Sequence, residues 1–442
     1  MDLNKILRKK TRSAAEVAKM VEPGWNLDYG ISVSQPDVFD AALAERKDQL
    51  KDVRIRTTLT MRPRSVLEVD PEQRHFHVES WHFSGYDRKK HDAGVLSYIP
   101  FNFGEAPRLY RDYLDVDLVV IKTTPMDQHG FFNFGVSNTY LRALCEKARH
   151  VVVETCMAIP RCYGVENVIH ISEVDAVIEG DNAPLAELPN SPVTEVDQKV
   201  AEFILPEIKN GSCLQIGIGG MPNAVCATLA KAPLKNLGIH TELFVDGMVD
   251  LVESGRVTGL NKGSYRGKVV FAIAVGSQRT YDFVNDNEMC MSLPINETNL
   301  PDNIARNRQF VSINNAMQID LMGQVASESA GYKHCTGTGG QLQFVRGAFM
   351  SEGGKSFMCL SSRYMKGAQP RSRIVVGHPP GTVITTPRTD VMYVVTEYGI
   401  VNLKGKSIPE RVNALIGIAH PDDRDHLEKQ ARDSRLLPRR FL

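Results

Sequence analysis

The sequence predicts an α/β protein built on largely parallel sheets. Three observations carry this. First, short apolar runs rich in β-branched residues recur, as at 118–121 (Leu-Val-Val-Ile), 150–154 (His-Val-Val-Val-Glu) and 268–275 (Lys-Val-Val-Phe-Ala-Ile-Ala-Val). Such runs suit strands buried on both faces. Second, segments of helical character separate the runs. That alternation supplies the crossovers parallel neighbours need. Third, a glycine-rich turn at 217–223 stands where a strand ends and a helix begins.

The elements follow in order. Residues 13–20 and 37–50 read as helices, the second ending in charge. Residues 53–59 alternate and suit a strand. Residues 115–121 begin with alternation and close in an apolar run, a second strand. Residues 138–149 read as a helix and 150–154 as the next strand. Residues 180–193 hold three prolines and little periodicity, and make the best linker. A helix at 194–205 stops before Pro206. Strand 214–218, helix 222–232, strand 239–243, helix 249–254 and strand 268–275 then repeat the alternation. The halves share an echo. Residues 120–130 and 311–323 each read as a strand, a small polar turn, then Asp and Gly.

Composition excludes some partners. Lys+Arg and Asp+Glu both number 52, so the formal net charge is zero and no polyelectrolyte partner such as nucleic acid is indicated. No apolar run reaches the roughly 18 residues of a membrane span. The first residues lack an apolar signal core. The eight cysteines are scattered, with no C-x-x-C pair. They read as reduced core thiols of a cytoplasmic protein. His75, His77 and His82 lack an Asp, Glu or Cys partner pattern, so no metal site is expected.

Gly217-Ile218-Gly219-Gly220-Met221-Pro222-Asn223 is the first chemical motif. Pro222 falls in the first helical turn, where a missing N–H costs nothing. The glycines allow close ligand approach, and amides at such a turn can bind an anion or a developing oxyanion. An ordinary tight turn explains the glycines equally. The dinucleotide fingerprint is not met, because Pro222 holds the third glycine position.

Glu242, in His240-Thr241-Glu242-Leu243-Phe244, lies one helix and one strand later. Ligands of open α/β sheets gather at the C-terminal ends of strands. A carboxylate there, beside free amides, suits a covalent nucleophile for acyl transfer. The competing reading is an exposed strand-end carboxylate in a salt bridge. Thr336-Gly337-Thr338-Gly339-Gly340-Gln341 reads as a loop approaching a ligand, anchored by the apolar residues that follow it. Lys366 reads as a solvated loop lysine that, with Arg363, could meet a phosphate.

These segments occur in one order with Ser312-Ile313-Asn314-Asn315-Ala316, Val395-Thr396-Glu397-Tyr398-Gly399 and a closing Ala414-Leu415-Ile416-Gly417-Ile418-Ala419-His420-Pro421. Gly130-Phe131-Phe132-Asn133-Phe134-Gly135 fits the same set. Over nearly its whole length the chain resembles the acetyl-CoA hydrolase/transferase family, above all its butyryl-CoA:acetate and 4-hydroxybutyrate CoA-transferases.

The resemblance implies two similar α/β domains, 1–185 and 194–442, with the active site at their interface. It implies that Glu242 is the nucleophile and carries CoA covalently during turnover, with no permanent cofactor. It implies oxyanion donors at Ile218 and Gly339, and CoA contacts from Gly217, Ile218, Gly219, Gly220, Met221, Met317, Gly340 and Lys366. A homodimer or higher homo-oligomer is expected on the same ground. Relatives often carry Asp where Gln343 stands. The implied reaction moves CoA between a short-chain acyl-CoA, butyryl or 4-hydroxybutyryl, and acetate. Acyl-CoA hydrolysis would use the same residues. A CoA or metabolite sensor on the same fold is the non-enzymatic alternative, against which Glu242 beside both glycine loops argues.

Overall fold

The β-branched runs at 118–121 and 150–154 lie on adjacent strands of the first of two open sheets. The computed structural model of the protein describes residues 2–188 and 191–437. The chain divides into two units, Met1–Leu188 with Val270–Thr298 and Pro189–Val269 with Asn299–Leu442.

The first unit holds strands β1 (Asn26–Ile31), β2 (Val53–Thr58), β3 (Phe76–Ser80), β4 (Ser97–Tyr98), β5 (Leu118–Thr123), β6 (His150–Thr155) and β7 (Ala176–Glu179). They stand in the order β4-β3-β2-β1-β5-β6-β7. Every neighbouring pair is parallel. Leu27, Ile55, Val78, Leu118, Val120 and Val152 are buried together at its centre. Removing such side chains from water is the main stabilising term, about 1.5–3 kcal/mol each.

Helix limits follow local chemistry. Ser13 and Glu16 form a reciprocal capping box that starts the helix Ala14–Ala18. The helix expected over 37–50 ends early, as Val38–Ala44 followed by a short 3-10 turn, Lys47–Gln49. Its N-terminus is capped from β6. The buried Glu154 carboxylate accepts the backbone N–H groups of Asp37, Val38 and Phe39. Residues 270–298 group with this first unit rather than with residues from 194 onward. Backbone bonds from Ala274 N to Val136 O at 2.9 Å and from Ile295 N to Thr139 O at 2.7 Å secure them.

The second unit holds β8 (Cys213–Ile216), β9 (Gly238–Phe244), β10 (Phe310–Asn315), β11 (Lys355–Cys359), β12 (Tyr393–Thr396) and β13 (Gly399–Asn402). These stand in the order β9-β8-β10-β11-β12-β13. All pairs are parallel except the closing hairpin β12–β13. Thr194 and Asp197 cap the helix Glu195–Ile204 reciprocally. The helix after β8 runs Gly220–Lys231 and that after β9 runs Asp246–Glu253.

The echo between the halves is a repeated topology. Leu27 on β1 stands opposite Ile55 and Leu118, and Leu214 on β8 stands opposite Ile239 and Val311. The turns after β5 and β10 match bond for bond. Asp127 Oδ1 accepts the amides of His129 and Phe131, and Asp320 Oδ1 accepts those of Met322 and Gln324. Gly130 and Gly323 close the two turns at φ +88 and +95, a region that favours glycine. Overlaying the registers puts Thr58 of β2 where β9 carries Glu242, and Lys122 where β10 carries Asn315.

Seven cysteines are buried and Cys335 is partly exposed, all as free thiols. Among the described residues no helix is long and apolar enough to cross a membrane.

Candidate active site

The C-terminal ends of β8, β9 and β10 bring the site residues of the second unit together. Glu242 lies near the end of β9. Its carboxylate keeps a little exposed surface but is crowded on nearly every side. Asn299 Nδ2 donates to Glu242 Oε2 at 2.5 Å. The Gly340 backbone N–H bonds the same carboxylate. Burial outweighs both donors and pushes the carboxyl from its ordinary range up to about 7. The group is therefore a poorly solvated carboxylate held by two aimed donors.

Gly340 must be glycine for a steric reason. Its φ of −99 suits any residue. A β-carbon there would collide with Glu242 Oε2 and with Asn299 Nδ2. Gly339, one residue earlier, takes a left-handed φ of +57. The helix Gln341–Met350 starts immediately after this turn.

The other glycine turn is built at the end of β8. Gly217 N donates to Ile313 O at 2.9 Å, which keeps the chain on β10. Gly219 has φ +114 and caps the helix Gly220–Lys231. Asn315 Nδ2 donates to Ile218 O at 3.0 Å and fixes that peptide's orientation. A β-carbon at Gly220 would meet Asp197 Oδ2 at 2.8 Å and Pro192 O at 2.9 Å. Ile218 is 43% exposed.

An open groove of about 830 Å³, counting solvent at its mouth, runs beside this turn. Gly220, Met221, Met317, Ser361 and Arg373 are among its lining residues. Arg373 donates to Met317 O at 2.8 Å and to Ser361 Oγ at 3.1 Å, which ties the groove's two walls. Lys366 does not line it. The lysine stands exposed on a strand, Arg363–Lys366, paired with Gln369–Ser372, rather than in a loop. Arg363 is engaged elsewhere, by Asp422 at 3.0 Å and Asp423 at 2.6 Å.

Sequence reasoning therefore brings together Glu242, Gly340 and, at the neighbouring strand end, Ile218 and Gly219. It misses Asn299, Asn315 and Arg373. Asn315 lies inside a quoted motif, so its place after a strand was a usable signal. Asn299 gives none, because only tertiary geometry brings it to a carboxylate far away in sequence.

Two families match the chain: the acetyl-CoA hydrolase/transferase N-terminal domain over residues 1–189 and the corresponding C-terminal domain over 276–431. The chain is 44% identical to the butyryl-CoA:acetate CoA-transferase of Anaerostipes caccae, covering 99% of each chain. It is 36% identical to the 4-hydroxybutyrate coenzyme A transferase of Clostridium kluyveri, covering 97% of this chain and 98% of that one. Among solved structures, RipA from Yersinia pestis superposes with a TM-score of 0.89 at 35% identity, over 99% of this chain and all of that one. A 4-hydroxybutyrate CoA-transferase from Porphyromonas gingivalis superposes at 0.80 with 33% identity, over 98% of this chain and 100% of its own. By these near full-length matches the chain belongs to the acetyl-CoA hydrolase/transferase family and is a CoA-transferase.

Proposed function

We propose that the enzyme moves CoA between a short-chain acyl-CoA, butyryl-CoA or 4-hydroxybutyryl-CoA, and acetate, through a thioester on Glu242. The observation that supports this most is the Glu242 carboxylate itself, desolvated and gripped by Asn299 and the Gly340 amide. A carboxylate stripped of water is a stronger nucleophile, and donors already in place need no reorganisation.

The steps balance without net proton transfer. A Glu242 oxygen attacks the acyl carbonyl, the C–S bond breaks, and CoA leaves as thiolate from a mixed anhydride. The thiolate attacks the glutamyl carbonyl, the first acid leaves as carboxylate, and a glutamyl-CoA thioester remains. Acetate then attacks that thioester and expels CoA thiolate. The thiolate finally attacks the acetyl carbonyl of the new anhydride, releasing acetyl-CoA and free Glu242. The tetrahedral oxyanions of these steps would be met by the amides of Ile218 and Gly339. Removing one such donor typically costs about 100- to 1000-fold in rate.

In this reading the pantetheine arm lies along the groove lined by Gly220, Met221 and Met317, past Gly217, Ile218 and Gly219. The phosphates of CoA meet Arg373 and the exposed hairpin that carries Lys366 and Arg371. Binding energy from those remote groups helps to position the reacting carbonyl. Residues 1–185 and 194–442 act as N- and C-terminal CoA-transferase domains, and the enzyme works in the cytoplasm as a homo-oligomer.

Intact mass after adding butyryl-CoA without acceptor tests the mechanism. Wild type should gain one CoA, lose it on addition of acetate, and Glu242→Ala should gain none. Steady release of CoA with no adduct would make the enzyme a hydrolase instead.

A further inference from the structure

Glu328 is a buried carboxylate that the mechanism above does not use; it is 2% exposed. It lies at the base of a short hairpin, Ser329–Ala330 paired with Lys333–His334. The chain leaves that hairpin directly into Thr336-Gly337-Thr338-Gly339-Gly340, the turn that ends against Glu242. Glu328 holds this exit from two sides. Its carbonyl accepts the Cys335 amide at 2.7 Å and the Thr336 amide at 3.3 Å. Its carboxylate Oε2 accepts the Thr338 hydroxyl at 2.9 Å. The other oxygen, Oε1, accepts the Thr385 hydroxyl, also at 2.9 Å.

Thr385 is fixed in its turn. Its hydroxyl accepts the Ser327 amide at 3.0 Å, and its own amide donates to Val325 O at 2.9 Å. Thr386 beside it accepts Gln341 Nε2 at 2.9 Å, and Gln341 is the first residue of the helix that follows Gly340. The segment at 385–386 thus grips the turn at both ends, once through Glu328 and once directly.

We propose that Glu328 is a positioning residue for acyl transfer. Through Thr338 it holds the Gly339–Gly340 peptides at the height that Glu242 and a developing oxyanion require. Gly339 sits in left-handed backbone and has no side chain of its own to anchor the turn. Gly340 has no β-carbon to wedge it in place, and none could be added without striking Glu242. The restraint therefore has to come from outside the two glycines, and the bond from Thr338 to Glu328 supplies it one residue away. A misplacement of about 1 Å at such a donor is enough to cost about 100-fold in rate.

This inference rests on the glutamyl-CoA reading, so the wild-type CoA adduct is measured first. Its absence overturns that reading, and this proposal with it. With the adduct established, kcat, KM for butyryl-CoA, the rate of adduct formation and Tm are compared for Glu328→Ala, Glu328→Gln, Thr338→Val and Glu328→Ala/Thr338→Val. Loss of positioning lowers kcat and the adduct rate about 10- to 100-fold in Glu328→Ala and in Thr338→Val, with KM within about threefold. Glu328→Gln recovers to within about tenfold of wild type, because its amide can accept from one threonine and donate to the other. The double variant is no slower than the worse single one, since both remove one linkage.

Thr338→Val is a near-isosteric change at a half-buried side chain and keeps the test open if Glu328→Ala does not fold. A fall in Tm with kcat and adduct rate within about twofold of wild type would make Glu328 structural only. Normal kinetics in Thr338→Val would overturn the proposal equally, as would a rise in KM at unchanged kcat.

Discussion

Asn299 Nδ2 donates to Glu242 Oε2 at 2.5 Å, and this bond fixes which carboxylate oxygen faces inward. Asn299 is fully buried, so the contact competes with no solvent. Asn299→Ala leaves Glu242 with one donor fewer and a free rotamer. The expected result is a loss of about 100- to 1000-fold in kcat at nearly unchanged KM, the range seen when one aimed donor is removed. Asn299→Asp sets two carboxylates against each other and raises the Glu242 pKa further. Its pH profile should move to the alkaline side of wild type, which single-turnover formation of the CoA adduct would measure.

In the proposed mechanism Glu242 attacks as a carboxylate, and burial has pushed its carboxyl up to about 7. Adduct formation should therefore rise about tenfold per pH unit below 7 and level off above it. Stability runs the other way. The folded state holds this proton more tightly than the unfolded chain, whose carboxyl titrates near the ordinary 4.5. The contribution to stability is full below 4.5 and is lost as pH rises through about 7. Glu242→Gln removes the ionisation and can still accept from Asn299 and Gly340 through its amide oxygen. It should be more stable than wild type at pH 8 by on the order of 1–3 kcal/mol, and equal to it near pH 4.5. Denaturant titrations at the two pH values decide this, and equal stabilities at pH 8 would mean a Glu242 that is not desolvated.

Gly340→Ala isolates geometry from charge. The backbone at φ −99 accepts alanine, but the added methyl strikes Glu242 Oε2 and Asn299 Nδ2. Glutamate, asparagine or the turn must move, and a rate loss of about 100-fold or more is expected. Gly377→Ala is the matched control, since its β-carbon would meet nothing within 4 Å. Activity of the control should stay within about twofold of wild type in the same steady-state assay.

Much of this was legible in the sequence because it depends on local chemistry. Strand β5 is a run of Leu-Val-Val-Ile, and a continuous apolar run is what a strand covered on both faces requires. The helices expected from 13 and from 194 begin there, each closed by a local capping pair, Ser13 with Glu16 and Thr194 with Asp197. Glu242 was singled out by its position after the glycine turn, one helix and one strand on, and the structure places it near the end of β9 beside Asn299 and Gly340. What escaped depends on contacts distant in sequence. The 37–50 helix stops at Ala44, in a helix whose start is set by Glu154 from another strand. Arg373 gives no sign in the chain that it braces Met317, because the link between them is a side chain reaching a carbonyl.

The repeated topology sets a last expectation. Thr58 stands on β2 where Glu242 stands on β9. It is 1% exposed, and its hydroxyl shares a hydrogen bond with the Tyr140 hydroxyl at 2.7 Å. Gln35 Nε2 donates to its carbonyl at 3.0 Å. Burial raises the Tyr140 pKa well above the ordinary range, so that phenol is no base for the threonine. The first sheet keeps the position but not the carboxylate. Thr58→Val conserves shape and removes this bond while the Tyr140 hydroxyl keeps its bond to Tyr110, which costs about 0.5–1.5 kcal/mol. The urea midpoint should fall at constant m-value, while the CoA adduct on Glu242 forms at the wild-type rate. A slower adduct with unchanged stability would mean that the β2 position, too, takes part in the chemistry.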